Sequence, residues 1–149
     1  MGKKKQAGLF VEDLAGEILA VIGDGKRLEH VILIVPSHDR RNKEIPDQAL
    51  WAKAASELFA DLYTGATAFK AYSGIYKTPE GEILIDIPIL MESYVSRADL
   101  MDSDKLKELL AFSVRMGQET HQHTVALFVN DFMHKIRIPS KDDGDGTRT

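Results

Sequence analysis

The sequence predicts an α+β fold in which a four-stranded antiparallel sheet is backed by two helices in the order β-α-β-β-α-β, behind one additional helix. Three observations predict it. The β-branched run Val31-Ile32-Leu33-Ile34-Val35 reads as a central strand buried on both faces. Two later segments flank the turn Thr78-Pro79-Glu80-Gly81, as hairpin partners do. Two further stretches repeat apolar residues every three or four positions, the period of an amphipathic helix.

The first element spans residues 9–22, where Leu14, Ile18, Val21 and Ile22 form one helical stripe. Gly23-Asp24-Gly25 ends it. After the Val31–Val35 strand and Pro36, the charged segment from Ser37 to Pro46 reads as a surface loop, and Asp47 as the cap of the next helix. That helix carries Leu50, Trp51, Ala54, Ala55, Leu58, Phe59 and Leu62, a stripe broad enough to lie on a sheet, with Gly65 closing it. A strand from Thr67 to Tyr76 then pairs with one from Ile83 to Val95. In the latter, Ile83, Ile85, Ile87, Ile89 and Met91 share one face, with Leu84, Asp86, Pro88, Leu90, Glu92 and Tyr94 on the other. Proline removes a ladder donor, so a break is expected at Pro88. Asp102 or Ser103 caps a third helix with Leu106, Leu109, Leu110, Ser113 and Val114 as its core stripe and Gly117 at its end. A last strand covers Gln122 to Phe132. The domain is expected over residues 1–139, its core from 28 to 139, with a disordered polar tail over 140–149.

Composition removes several functions. With no cysteine, disulfides, thiolate metal sites and cysteine nucleophiles are excluded. A net charge of −4 opposes broad binding along a phosphate backbone. Lys3, Lys4 and Lys5 precede a short apolar run that Glu12 and Asp13 interrupt, and no stretch has the length of a membrane span, so a cytoplasmic address is expected. Gly23-Asp24-Gly25-Lys26 lacks the spacing of a phosphate-binding loop, and no Gly-x-Ser-x-Gly elbow is present.

Two crossovers joined by a hairpin give the ferredoxin-like arrangement, both helices on one face of the sheet. That connectivity gathers polar residues at one edge: Ser37, His38 and Asp39 where the first strand ends, Asp86, and Glu119, His121, Gln122 and His123 where the last begins. In extended backbone Glu119, His121 and His123 share a face. Two imidazoles and a carboxylate suit Zn²⁺, Mn²⁺ or Fe²⁺, with His38, Asp39 or Asp86 as further ligands. An open coordination position would activate water for hydrolysis, with a phosphodiester as the candidate substrate. Without a metal, Asp86 or Glu119 would serve as general acid or base beside a histidine.

The open sheet face is the other candidate. Tyr72, Tyr76, Tyr94 and Phe128 with Lys70 would suit single-stranded RNA, but Asp86 and Glu92 repel phosphate and the aromatic-Gly signature is missing, so nucleic acid ranks below a protein interface. Leu84, Leu90 and Tyr94 leave a half-apolar face that needs the N-terminal helix, a second copy or a partner protein against it, a homodimer being the default.

In the order Pro36-Ser37, Trp51, Gly65-Ala66-Thr67, Gly74, Gly81, Ser93-Tyr94, Glu119 and Gln122, the stretch from Val31 to Val129 resembles small uncharacterised bacterial domains of ferredoxin-like build. The resemblance implies the fold and no activity. The leading expectation is a small intracellular binding or accessory domain that self-associates through its sheet face and carries a polar pocket at the hairpin end. The alternative is the metal-dependent hydrolase.

Overall fold

Five apolar residues in a row fix the centre of the molecule. They form β1 (Glu29–Val35), which follows α1 (Gly2–Gly23) and precedes α2 (Gln48–Tyr63). Then come β2 (Thr67–Lys70), β3 (Gly74–Lys77), β4 (Ile83–Asp86), β5 (Ile89–Val95), the single turn α3 (Arg97–Leu100), α4 (Ser103–Glu119), β6 (Thr124–Val129) and β7 (Phe132–Arg137). These elements are those of a computed structural model, which describes residues 2–23 and 27–139. The expected tail from residue 140, and Asp24 and Gly25 of the expected turn, lie outside the described residues.

The chain is an α+β protein with an antiparallel sheet. Five strands pair in the order β2-β5-β1-β6-β7, and β3 pairs with β4 as a separate ribbon. β1 runs antiparallel to both neighbours, with Leu33 opposite Met91 on one side and Leu127 on the other. α2 and α4 pack on the same face. There Val31, Leu33, Val35, Phe59, Met91, Leu109, Met116 and Leu127 close a single core. Alternation explains the division: β1 buries every second residue completely and leaves His30, Ile32 and Ile34 half-covered on the opposite face.

Several local expectations are corrected. The hairpin expected over 67–95 is two ladders, β2 with β5 and β3 with β4, interrupted on both strands. The expected break at Pro88 lies between β4 and β5. The last strand ends at Val129, and a turn at Asn130-Asp131 returns the chain as β7. Asn130 takes a left-handed φ of 53°, a conformation asparagine tolerates well. Asp47 precedes α2, but its side chain makes no capping bond, and left-handed Thr64 closes that helix before Gly65. Asp102 does cap α4, its carboxylate accepting from the Asp104 and Lys105 N–H groups. Gly117 does not end α4. A Cβ there would stand 2.4 Å from Ile138, so glycine at this position admits the segment after β7 against the helix. The buried stripe of α4 consequently runs through Leu109, Phe112, Ser113, Met116 and Gly117.

Along α1, Val11, Leu14, Ile18 and Leu19 are exposed. Among the described residues no helix is long and apolar enough to cross a membrane.

Candidate functional site

Proline at position 88 sets the site in motion. It has no N–H for the ladder, and the strand breaks around it. Ile87 then has two backbone groups to satisfy, and a buried peptide group without a partner is costly. The Ile87 N–H donates to Ser37 Oγ at 2.8 Å, and the Ile87 carbonyl accepts from Gln48 Nε2 at 2.9 Å. The break in the hairpin is thus stitched to the end of β1 and the start of α2.

Asp86 sits one residue before this break. Its partner across the ribbon is Gly74, where a Cβ would stand 2.7 Å from the Asp86 carbonyl oxygen, so only glycine permits that approach. Asp86 Oδ1 accepts from the Ser37 N–H at 2.9 Å and from the Ser37 hydroxyl. Ser37 Oγ also lies 2.7 Å from His38 Nδ1, which stands 3.9 Å from Asp86 Oδ1. No partner is seen for Asp86 Oδ2 among the described residues. Ser37 is buried, so its hydroxyl organises neighbours and does not face a substrate.

The start of β6 lies against the end of β1. Gln122 Nε2 donates to the His38 carbonyl at 2.8 Å, and the Arg40 N–H donates to the His121 carbonyl at 3.0 Å. Gln122 therefore holds the loop after β1. Asp39 organises the same loop, its Oδ1 accepting from the N–H groups of Arg41 at 2.8 Å and Lys43 at 2.9 Å. The Lys43 N–H, with help from that of Arg41, holds the Asp39 carboxyl below its ordinary range.

Between the β3-β4 ribbon and the open face of the sheet lies a cleft of about 510 Å³. His38 and Asp86 line it with Tyr76, Arg40 and Lys135, over an apolar floor that includes Ile34 and Ala126. Tyr76 and Lys135 escaped the sequence reading as cleft residues. Lys135 belongs to β7, whose one signal was the Asn130-Asp131 turn. His123 lines the cleft from an exposed position.

The metal set expected from Glu119, His121 and His123 does not assemble. Glu119 is the last residue of α4 and is exposed, and His121 takes a left-handed φ of 55°. The period-two geometry that would align the three side chains is therefore lost. Among the described residues no three His, Cys, Asp or Glu side chains are grouped as a metal ion requires.

The remaining binding candidates are dispersed. Tyr72 is wholly exposed in the link between β2 and β3. Leu90 lies on the open face between Phe69 and Ile34. Tyr94 stacks on His30 with ring centroids 4.5 Å apart, and His30 Nε2 lies 2.9 Å from Glu92 Oε2. The sequence reading missed this cluster, which needs the β1-β5 register to become visible.

No protein-family model matches the chain, and no curated protein matches it. Two solved structures are similar to it. One is a phage SAM lyase in complex with S-methyl-5'-thioadenosine, with a TM-score of 0.55 and 11% identity, covering 76% of this chain and 92% of that one. The other is a phage SAM lyase in the apo state, with a TM-score of 0.53, 11% identity, and coverage of 76% and 91%. At that identity the likeness is one of fold.

Proposed function

We propose that this chain is a small-molecule-binding domain whose cleft takes an adenosyl ligand, the zwitterionic sulfonium S-adenosylmethionine or the neutral thioether left by its cleavage, and that it serves C–S bond cleavage of the lyase type. The observation that carries the reading is the composition of the cleft wall. Asp86, one carboxylate oxygen committed to Ser37, lines the cleft together with Tyr76, Arg40 and Lys135. A carboxylate beside an aromatic ring suits a sulfonium cation. Arginine and lysine suit the amino-acid carboxylate of the same ligand, and the Ile34–Ala126 floor suits a flat base. The phage SAM lyases with a similar fold lend the ligand class. We read β2-β5-β1-β6 as a ferredoxin-like core, with β3-β4 inserted and β7 added.

Calorimetric titration with S-adenosylmethionine and with its neutral thioether counterpart S-adenosylhomocysteine tests this reading. The sulfonium is expected to bind more tightly, and Asp86→Asn to erase that preference while keeping the thioether affinity. Chromatography of the incubated mixture should reveal S-methyl-5'-thioadenosine and, in equal amount, the amino-acid lactone formed as the ligand's own carboxylate displaces the thioether from its carbon. Failure of both ligands to bind refutes the proposal.

A second reading rests on the rest of the open face. Met133 and Tyr94 are exposed there, and the Val11, Leu14 and Ile18 stripe of α1 is exposed as well, apolar surface suited to a second copy of the chain. Sedimentation equilibrium should give a dimer that Met133→Asp or Leu14→Asp dissociates; a monomeric wild type removes this reading. The metal-dependent hydrolase, its ligands dispersed, is not carried further.

A further inference from the structure

We infer that Ser37 locks His38 in its Nδ1–H tautomer, making Nε2 a proton-accepting atom of the cleft, matched to a hydroxyl or ammonium group of the ligand. The argument is a count of protons. A serine hydroxyl has one proton to give and two lone pairs. Around Ser37 Oγ stand three partners: the Ile87 N–H at 2.8 Å, His38 Nδ1 at 2.7 Å and Asp86 Oδ1. The Ile87 N–H fills one lone pair. Asp86 Oδ1 already accepts the Ser37 N–H and acts in the network as an acceptor. The hydroxyl proton therefore goes to Asp86. The remaining lone pair of Oγ faces His38 Nδ1, and two bare acceptors at 2.7 Å would repel, so Nδ1 must carry the hydrogen.

A neutral imidazole with hydrogen on Nδ1 has a bare Nε2. No protein partner takes that nitrogen among the described residues, and His38 lines the cleft with about a quarter of its side chain exposed. The fixed ring thus adds to the cleft what Arg40, Lys135 and the Tyr76 hydroxyl do not: a neutral acceptor held in one orientation. In the adenosyl reading, on which the choice of ligand group rests, Nε2 would meet a ribose hydroxyl or the α-ammonium. Ser37 acts through His38 and is a positioning residue. The Pro88 break is its indirect cause, because it frees the Ile87 N–H that helps orient Oγ.

The tautomer is measurable without any ligand, so its failure is separate from failure of the adenosyl reading. Long-range ¹H–¹⁵N correlation spectra of the unliganded protein, at a pH where imidazole is neutral, report which ring nitrogen of His38 is protonated. The expected result is Nδ1–H in the wild type and in Ser37→Thr, with Nε2–H gaining population in Ser37→Ala. A wild-type ring protonated on Nε2 overturns the inference whether or not the variants fold. Retention of Nδ1–H in Ser37→Ala removes Ser37 from its role. Binding of S-adenosylhomocysteine, which carries both the ribose hydroxyls and the α-ammonium, to Ser37→Ala should weaken about tenfold, one factor of ten being about 1.4 kcal/mol. Ser37→Thr should restore it, and equal affinity in all three proteins argues against a ligand contact at Nε2.

Discussion

The two faces of the five-stranded sheet are made by the same strands and behave in opposite ways. On the helix face, alternate residues of β1, β5 and β6 meet α2 and α4 with few polar groups among them: Glu29, whose carboxylate accepts from Asn130, and Ser93 and Ser113, both bonded to backbone carbonyls. On the open face the neighbouring positions hold His30, Glu92, Tyr94, Ile34 and Lys135, partly exposed and chemically mixed. One face is a solved packing problem. The other keeps room for a ligand between the β3-β4 ribbon and the loop after β1.

Substitution should separate the faces by size of effect. Phe59→Ala removes a wholly buried ring and is expected to cost roughly 3–5 kcal/mol in urea denaturation. Phe69→Ala, half-exposed at the β2 edge, should cost less than about 1 kcal/mol. Similar losses at both sites would erase the distinction. The seam between the faces comes next. Ser37→Ala takes away the acceptor of the Ile87 N–H and is expected to cost roughly 1–3 kcal/mol. If the cost were nil, Ser37 would not hold the ribbon to β1.

Smaller effects sharpen the contrast between the helices. Asp102→Ala removes two capping bonds from α4 and should cost about 0.5–2 kcal/mol, whereas Asp47→Ala, which removes none, should change stability little. The smallest effect is in pH. The folded Asp39 carboxyl is held below 3.8 by backbone N–H groups, so its contribution is present above that pH and lost as pH falls through the lower folded value. Asp39→Asn should flatten the acid limb of the stability curve slightly, and hydrogen exchange at Arg41 and Lys43 should report it first. An unchanged acid limb would separate the loop from stability.

The helix face was legible in the sequence and the open face largely was not, for physical reasons. The Trp51–Leu62 stripe announces itself because burial enforces a period, and Val31–Val35 because an unbroken apolar run marks a central strand, although it is closed only on the Val31, Leu33 and Val35 face and not on both as expected. The meeting of Ser37, His38, Asp86 and Gln122 followed from connectivity, since crossovers carry the end of β1 to the start of β6. The extended backbone assumed for the metal set is absent at two residues: Glu119 is still in α4, and left-handed His121 turns the chain between helix and strand, where period-two reasoning does not apply. The early end of the last strand hid Lys135, because Phe132–Arg137 lacks the alternation that marked the other strands. Gly117 looked like a helix stop, and only the packed Ile138 explains it.

Amide chemical-shift mapping with S-adenosylhomocysteine, which keeps the amino-acid carboxylate and resists cleavage, tests the ligand cleft most directly. Perturbations clustered at His38, Asp86, Gln122 and Lys135, with Tyr94 and Met133 unmoved, are the predicted result. A spectrum that does not change, or one that changes only at the far end of the open face, would contradict it.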